Sequence, residues 1–298
     1  MSFLSPLLNA LPGAISQGMI WGIMAVGVYI TFRILDVADL TVDGSLATGG
    51  AVCVMLIRAG LSPWIALLCA FLAGMVAGLV TGVLHTRCGI PAILAGILTQ
   101  LALYSTNLRI LGKANQSISV RNHTFLVNMS NIPLAVFILA VLVLLLIAIL
   151  YWFFGTELGS SIRATGCNQS MARANGINTN MNKIVALVIS NGIVALAGGL
   201  LAQYQGFADV NLGRGAIVVG LAAVIIGEVI FARIFRNFAL KLLAAAIGGV
   251  VYYVIMQLVI SMGLNTDDLK LLSAVIVALF LGIPYWKSQF METHGKTE

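Results

Sequence analysis

Charge is what this sequence lacks most. Of its 298 residues, 16 are Lys or Arg and 10 are Asp or Glu, so 9% are charged, where soluble domains carry about 25%. That is too little polar surface to cover a water-soluble globule of this size. Cysteine is also scarce, and Cys53, Cys69, Cys88 and Cys167 show no CxxC or CxxxC spacing. Neither a disulfide framework nor a zinc site is indicated, and the four are expected to be small buried hydrophobes. No Asp, Glu, Lys or Arg precedes Arg33, so the basic segment that opens a cleavable secretory signal is missing.

Catalytic motifs are equally sparse. The chain contains no GxxxxGK[ST] phosphate loop, no HExxH and no GxSxG, so the chemistry those spacings support is not expected. His85, His123 and His294 fall in different loops and make neither a metal site nor a triad. No catalytic residue, metal or cofactor is expected. Inside the apolar stretches charge is close to nil, with Glu228 and Asp43 near the ends of theirs. Ion-driven carriers usually place ionisable groups in the bundle interior, so their scarcity weighs against one. A secondary carrier of the drug/metabolite kind remains the alternative reading.

Hydrophobic residues make up 60% of the chain, and mean hydropathy is +1.04. A membrane helix needs about 20 mostly apolar residues. Nine candidate spans satisfy this approximately: Ile15 to Ile34, Gly44 to Ile57, Pro63 to Leu84, Ile90 to Ile110, Ile132 to Phe154, Lys183 to Gln203, Gly215 to Phe231, Phe238 to Ile260 and Leu271 to Tyr285. The second and seventh are short and glycine-bearing, and an eight-span arrangement results if one of them only dips into the bilayer. The fold class expected is an all-α polytopic membrane protein, a single domain over 1–298 with eight to ten helices.

Cytoplasmic loops are enriched in Lys and Arg, which gives the net charge of +6 a reading other than nucleic-acid binding. With the loop after the fifth span inside, the inner face holds Arg33, Arg87, Arg163, Arg173, Lys183, Arg233, Arg236, Lys241, Lys287 and Lys296. The outer face holds Arg58, Arg109, Lys113, Arg121, Arg214 and Lys270. The split favours an outer N-terminus and a cytoplasmic C-terminus. Three Asn-x-Ser/Thr sequons, at Asn115, Asn122 and Asn128, fall in one outer loop.

A weak repeat runs through the chain at an offset of 170 residues. Gly22, Ile23 and Ala25 return as Gly192, Ile193 and Ala195, Ala38-Asp39 as Ala208-Asp209, and Gly50 as Gly220. An odd fifth span between two sets of four turns the second set over, the inverted construction common in transporters. The halves are approximately 15–111 and 183–286. In each, the Ala-Asp pair opens a polar, glycine-containing stretch, 36–45 and 207–215. Asp, Asn, Thr and Gly favour caps and turns, so both read as helix breaks, which persist at membrane depth where protein or a water cavity satisfies the backbone. The same residues also fit ordinary loops with N-caps at Asp43 and Asn211. Asp43, Ser45, Thr48, Gln100, Asn191, Gln203 and Gln257 are candidates to line a pathway, and each is equally suited to an interhelical hydrogen bond.

The cytoplasmic stretch 155–182 reads as two short helices. One runs from Leu158 to Thr165 and stops at Gly166; the other runs from Gln169 to Asn175 with Asn168 as N-cap and Gly176 as left-handed C-cap. Ala164, Ala172 and Ala174 keep them slim enough to lie in a partner's groove, although a surface loop without a partner fits too.

Ile162-Arg163-Ala164 with Ala172-x-Ala174-x-Gly176-Ile177-Asn178, then Lys183 and the span from Leu187 to Gln203 ending Ala-Leu-Ala-Gly-Gly-Leu-Leu-Ala-Gln-Tyr, resembles the permease subunits of bacterial ABC importers of the branched-chain amino acid type. These are related to ribose and vitamin B12 importer permeases, and Asp39-Leu40-Thr41-Val42-Asp43-Gly44-Ser45 is similar to an Asp-Leu-Ser-Val-Gly-Ser element of the sugar members. The nearest branch is that for aromatic amino acids. The resemblance implies a type II importer permease fold, a second permease copy, two cytoplasmic ATPases and an extracytoplasmic solute-binding protein. It places the ATPase-coupling loop at Arg163, Ala164, Asn168, Met171, Ala172, Arg173, Gly176 and Asn178. The chain departs from the sugar permeases in lacking an additional N-terminal span and in carrying Asp43 before the Gly-Ser pair.

Overall fold

The computed structural model describes residues 4–118, 124–231, 234–235, 237–261, 271, 273–275, 277–280 and 282, the first six as backbone only. Arg121, Asn122, His123, Arg233, Arg236, Lys270, Lys287, His294, Lys296 and much of the ninth expected span lie outside the described residues. The chain order is α1 (Leu4–Tyr29), a π-helical turn Ile30–Ile34, α2 (Thr41–Arg58), α3 (Pro63–Thr86), α4 (Ala92–Leu111), β1 (Asn115–Ser117), α5 (Ile132–Gly155), α6 (Glu157–Cys167), α7 (Gln169–Ala174), α8 (Thr179–Gln205), β2 (Phe207–Asp209), α9 (Ala216–Phe231) and α10 (Phe238–Ser261). The protein is overwhelmingly helical, as its composition requires. Among the described residues the one addition is a two-stranded antiparallel ribbon that pairs Gln116 with Ala208.

Among the described residues, five helices are long and apolar enough to cross a bilayer: Ala10–Ile34, Pro63–Thr86, Ile132–Gly155, Thr179–Gln205 and Phe238–Ser261. Of the other four expected spans, the ninth lies largely outside the described residues. The remaining three are shorter or more polar: α4 carries Gln100, Ser105, Thr106, Asn107 and Arg109, α9 has only 16 residues, and α2 begins with the polar stretch Thr41-Val42-Asp43.

The helices pack through glycine. In lipid there is no hydrophobic drive between helices, so close backbone approach by small residues supplies the attraction. A methyl group on Gly74 or Gly78 of α3 would strike the Asn191 or Leu187 carbonyl of α8; on Gly49 of α2, the Ala195 carbonyl of α8. On the other side, Gly22 of α1 lies against Ala246 of α10, and Gly248 of α10 against Ala223 of α9. Thus α8 packs on α2 and α3, while α1 packs on α9 and α10. By contrast α5 exposes Leu134, Phe137, Leu144 and Trp152, as a helix facing lipid would.

The cysteine expectation needs correction. Cys53 is buried and Cys69 half-buried, but Cys88 and Cys167 are exposed, because they sit at or beyond helix ends rather than within the packed spans. No cluster of metal-ligating side chains occurs among the described residues.

Candidate functional site

The site is assembled where two helices begin. After Ile34 the chain leaves the helix through Leu35, whose N–H donates to the Ile30 carbonyl at 3.0 Å, and Val37, whose N–H donates to Thr31 at 2.9 Å. Asp36 then takes φ +57°, a left-handed conformation that Asp tolerates better than most residues. Asp39 turns the chain into α2: its Oδ1 accepts from the Thr41 N–H at 2.9 Å. Its Oδ2 accepts from the Asn191 amide at 2.7 Å, and the Asn191 Oδ1 accepts from the Ser45 hydroxyl at 2.6 Å. All three side chains are buried. Asn191 lies near the middle of the 27-residue α8, so the break reaches the middle of the bundle. Beside it, the buried Thr41, Thr81 and Thr99 hydroxyls join α2, α3 and α4, with Thr41–Thr81 at 2.7 Å and Thr81–Thr99 at 2.9 Å.

The second break descends to the same level. Beyond β2, Asp209 Oδ1 accepts from the Asn211 N–H at 2.6 Å. Gly213 then lies directly on the Asp43 carbonyl, where no Cβ would fit, and Gly215 takes φ +86°. The chain enters α9 with its first free N–H groups aimed at Asp43. The Asp43 Oδ2 accepts from Gly215 and the Oδ1 from Ile217, both at 2.9 Å. Asp43 therefore does not cap its own helix; α2 has Leu40 at its N-cap. Nor is Asn211 an N-cap, since α9 begins at Ala216. A carboxylate at a helix N-terminus satisfies orphan donors and meets the positive end of the dipole.

A half-open cavity of about 260 Å³ adjoins this junction. Asp43, Gln100, Tyr104, Asn107, Asn211 and Arg214 supply its polar lining. Asn107 is 1% exposed, yet neither its Nδ2 nor its Oδ1 has a hydrogen-bond partner among the described residues. An unmade hydrogen bond on a buried polar group costs about 1–3 kcal/mol, which makes this amide an unusual feature of the cavity lining.

Of the pathway candidates, Asp43 and Gln100 reach the cavity, and Ser45 and Asn191 belong to the buried network beneath the break. Thr48 is turned back onto the Gly44 carbonyl of its own helix at 2.9 Å. Gln203 sits by the ribbon, its Oε1 accepting from the Leu126 N–H at 3.1 Å. Gln257 is half-buried in α10, apart from both groups. Sequence reasoning missed Tyr104, Asn107, Asn211 and Arg214 as cavity residues. The available signal was the polar run Ser105-Thr106-Asn107 inside an expected membrane span.

At the opposite end from the ribbon lie α6 and α7. The Asn168 Oδ1 accepts from the Met171 N–H at 3.0 Å, and Gly176 takes φ +78°. The helix expected to stop at Gly166 instead runs on to Cys167. Gly166 is small for another reason: it rests directly on the Ile34 backbone. Asn178 caps α8 through the Met181 N–H at 3.1 Å, Ala172 is buried, and Met171 is 64% exposed. Arg173 donates to the Thr179 hydroxyl at 2.9 Å, and the Arg163 guanidinium lies 5.7 Å from the Phe238 ring centroid. Ala164 lies on the exposed side of α6.

A bundle of long apolar helices with interrupted backbones meeting in its middle, and a polar cavity at that meeting point, is the architecture of a membrane permease. The chain belongs to the family of branched-chain amino acid transport system permease components, whose pattern it matches over residues 11–284. It is similar to the tyrosine transport system permease protein of Clostridioides difficile (strain R20291), 38% identical over 97% of this chain and 96% of that one. An uncharacterized protein of Rickettsia prowazekii (strain Madrid E) is 34% identical over 92% of this chain and 97% of its own. The autoinducer 2 import system permease protein LsrC of Yersinia pestis (strain Pestoides F) is 32% identical over 72% of this chain and 60% of its own. The protein is thus a transmembrane permease subunit of a bacterial ABC-type importer of an amino acid or other small solute, a transport chain and not a catalytic one.

Proposed function

We propose that this chain is half of a homodimeric permease that imports an amino acid, aromatic or branched-chain, across the bacterial plasma membrane by alternating access, with ATP hydrolysed on two separate subunits. The observation that carries the reading is the polar cavity at the meeting point of α2 and α9. The tyrosine transport role printed for the Clostridioides difficile relative favours the aromatic class. An extracytoplasmic binding protein would deliver the solute at the ribbon end, and the ATPases would dock on α6 and α7, where exposed Met171 and Leu158 offer apolar contact.

The inverted relation of the halves is part of this reading. Its supports are the 170-residue offset, the two Asp-closed turns, and the reciprocal packing of α1 on α10 and α8 on α3. The single domain then spans the membrane nine times, α2 and α9 included, with the N-terminus outside and the C-terminus in the cytoplasm.

The test is uptake by the assembled importer in proteoliposomes. Gln100→Trp fills the cavity and is expected to abolish uptake; uptake within twofold of the parent overturns the pathway assignment. Met171→Glu is expected to lose the co-purifying ATPase; full retention of both ATPase and uptake overturns the docking assignment.

A further inference from the structure

The cavity brings together opposite charges that do not neutralise each other. Asp43 and Arg214 both line it, yet the one ion pair among the described residues is Arg33 with Glu228. A carboxylate offers about four acceptor positions. Asp43 uses one on each oxygen for the Gly215 and Ile217 N–H groups, which leaves acceptor capacity for an ammonium. The Arg214 guanidinium, with five donors in a planar fork, makes no side-chain hydrogen bond or ion pair among the described residues. In the same cavity lining, the buried Asn107 amide has neither a donor nor an acceptor partner among the described residues. At about 260 Å³ the space lies just below the usual range of ligand pockets, which limits it to one compact solute.

We propose that this cavity is a subsite for a zwitterionic α-amino acid, with Arg214 taking the carboxylate, Asp43 the ammonium, and Asn107 one hydrogen bond to each end. The inference rests on the pathway reading above and adds to it the residues that hold the two charged ends of the solute. A sugar would offer neither side chain an opposite charge, and an organic anion or cation would offer one to only one of them. Exposed Tyr104 at the rim provides a flat apolar surface for the side chain of the solute. The site is a waypoint, not a trap: Asp43 and Arg214 keep solvent contact, so the charges hold a passing solute more weakly than a closed pocket would.

The experiment uses the complete importer in proteoliposomes, with each of the twenty L-amino acids supplied radiolabelled. At least one is expected to accumulate when ATP is present, and Arg214→Gln is expected to cut its uptake at least tenfold. Arg214→Lys, which keeps the charge without the planar fork, should recover at least a third of the parent rate. Asn107→Leu should also lower uptake at least tenfold, and because Arg214 is exposed its variants report on the site without a folding defect. The proposal is overturned if no amino acid accumulates, if Arg214→Gln loses less than tenfold, or if Lys and Gln at 214 are equally impaired. Gln100→Trp separates the two levels. If it blocks uptake while Arg214→Gln does not, the cavity is on the pathway but is no zwitterion site; if neither variant changes uptake, the pathway reading itself falls.

Discussion

Asp39 and Asp209 stand 170 residues apart and make the same turn: each carboxylate accepts the backbone N–H two residues on, from Thr41 at 2.9 Å and from Asn211 at 2.6 Å. Each turn leads the chain out of a helix and toward the start of a shorter one. Their surroundings differ. Asp39 is 2% exposed and tied to Asn191, whereas Asp209 stays half-exposed at the ribbon. The two turns are alike in local geometry and unequal in what depends on them.

Asn191 is the support on which the first turn rests. In Asn191→Leu the Asp39 Oδ2 loses its donor and Ser45 loses its acceptor. Leaving a buried polar group unsatisfied costs about 1–3 kcal/mol, so the variant should melt several degrees below the parent in detergent. A melting temperature unchanged by the substitution would show that the network does not hold α2 in place.

Asp43 should behave as a helix cap supplied from a distance. Replacing a capping side chain with Ala costs about 0.5–2 kcal/mol, so Asp43→Ala is expected to lower stability by that amount, with faster amide exchange in the first turn of α9. Asp43→Asn retains one acceptor oxygen and should lose less. Equal exchange rates in parent and Ala variant would count against the cap.

The glycine contacts separate two kinds of position. Gly74 rests on the Asn191 backbone, while an added methyl at Gly155 meets nothing within 4 Å. Forcing extra atoms into a packed interface costs about 1–3 kcal/mol, so Gly74→Val should lower both membrane yield and melting temperature. Gly155→Ala should change neither, and both are measured by fluorescence size-exclusion after heating.

The Arg33–Glu228 pair joins the π turn to the end of α9, with side chains 47% and 26% exposed. Ion pairs in contact with solvent contribute about 0–1 kcal/mol. A double-mutant cycle with Arg33→Ala and Glu228→Ala, read by thermal unfolding, should give a coupling below about 1 kcal/mol. It should shrink further at high salt.

What the sequence made legible was local. The Ala-Asp pairs, the Asn168 cap and the Gly176 turn each act through residues a few positions away, and their side-chain chemistry names the role. Long-range placement was not legible. Nothing near Asp43 in the chain announces that its partners are Gly215 and Ile217, and nothing around Asn107 shows that its amide opens into a cavity shared with Arg214. In the sequence Gly166 reads as a helix stop because glycine usually breaks a helix. Its cause lies in Ile34, more than a hundred residues upstream, where only a missing side chain lets two backbones touch. Cys88 and Cys167 were placed by composition when helix ends decide their exposure.

The seat of Gly166 on Ile34 has a mechanical meaning. A joint made through side chains has rotamers that can absorb a small displacement, as a rubber bush does. Here main chain bears on main chain, and the π turn it bears on is followed at once by the left-handed Asp36 and the anchored Asp39. A load on α6 therefore reaches Ile34 with no side chain in between, and the Leu35 and Val37 N–H groups, bonded back to Ile30 and Thr31, tie that joint into the end of the first helix.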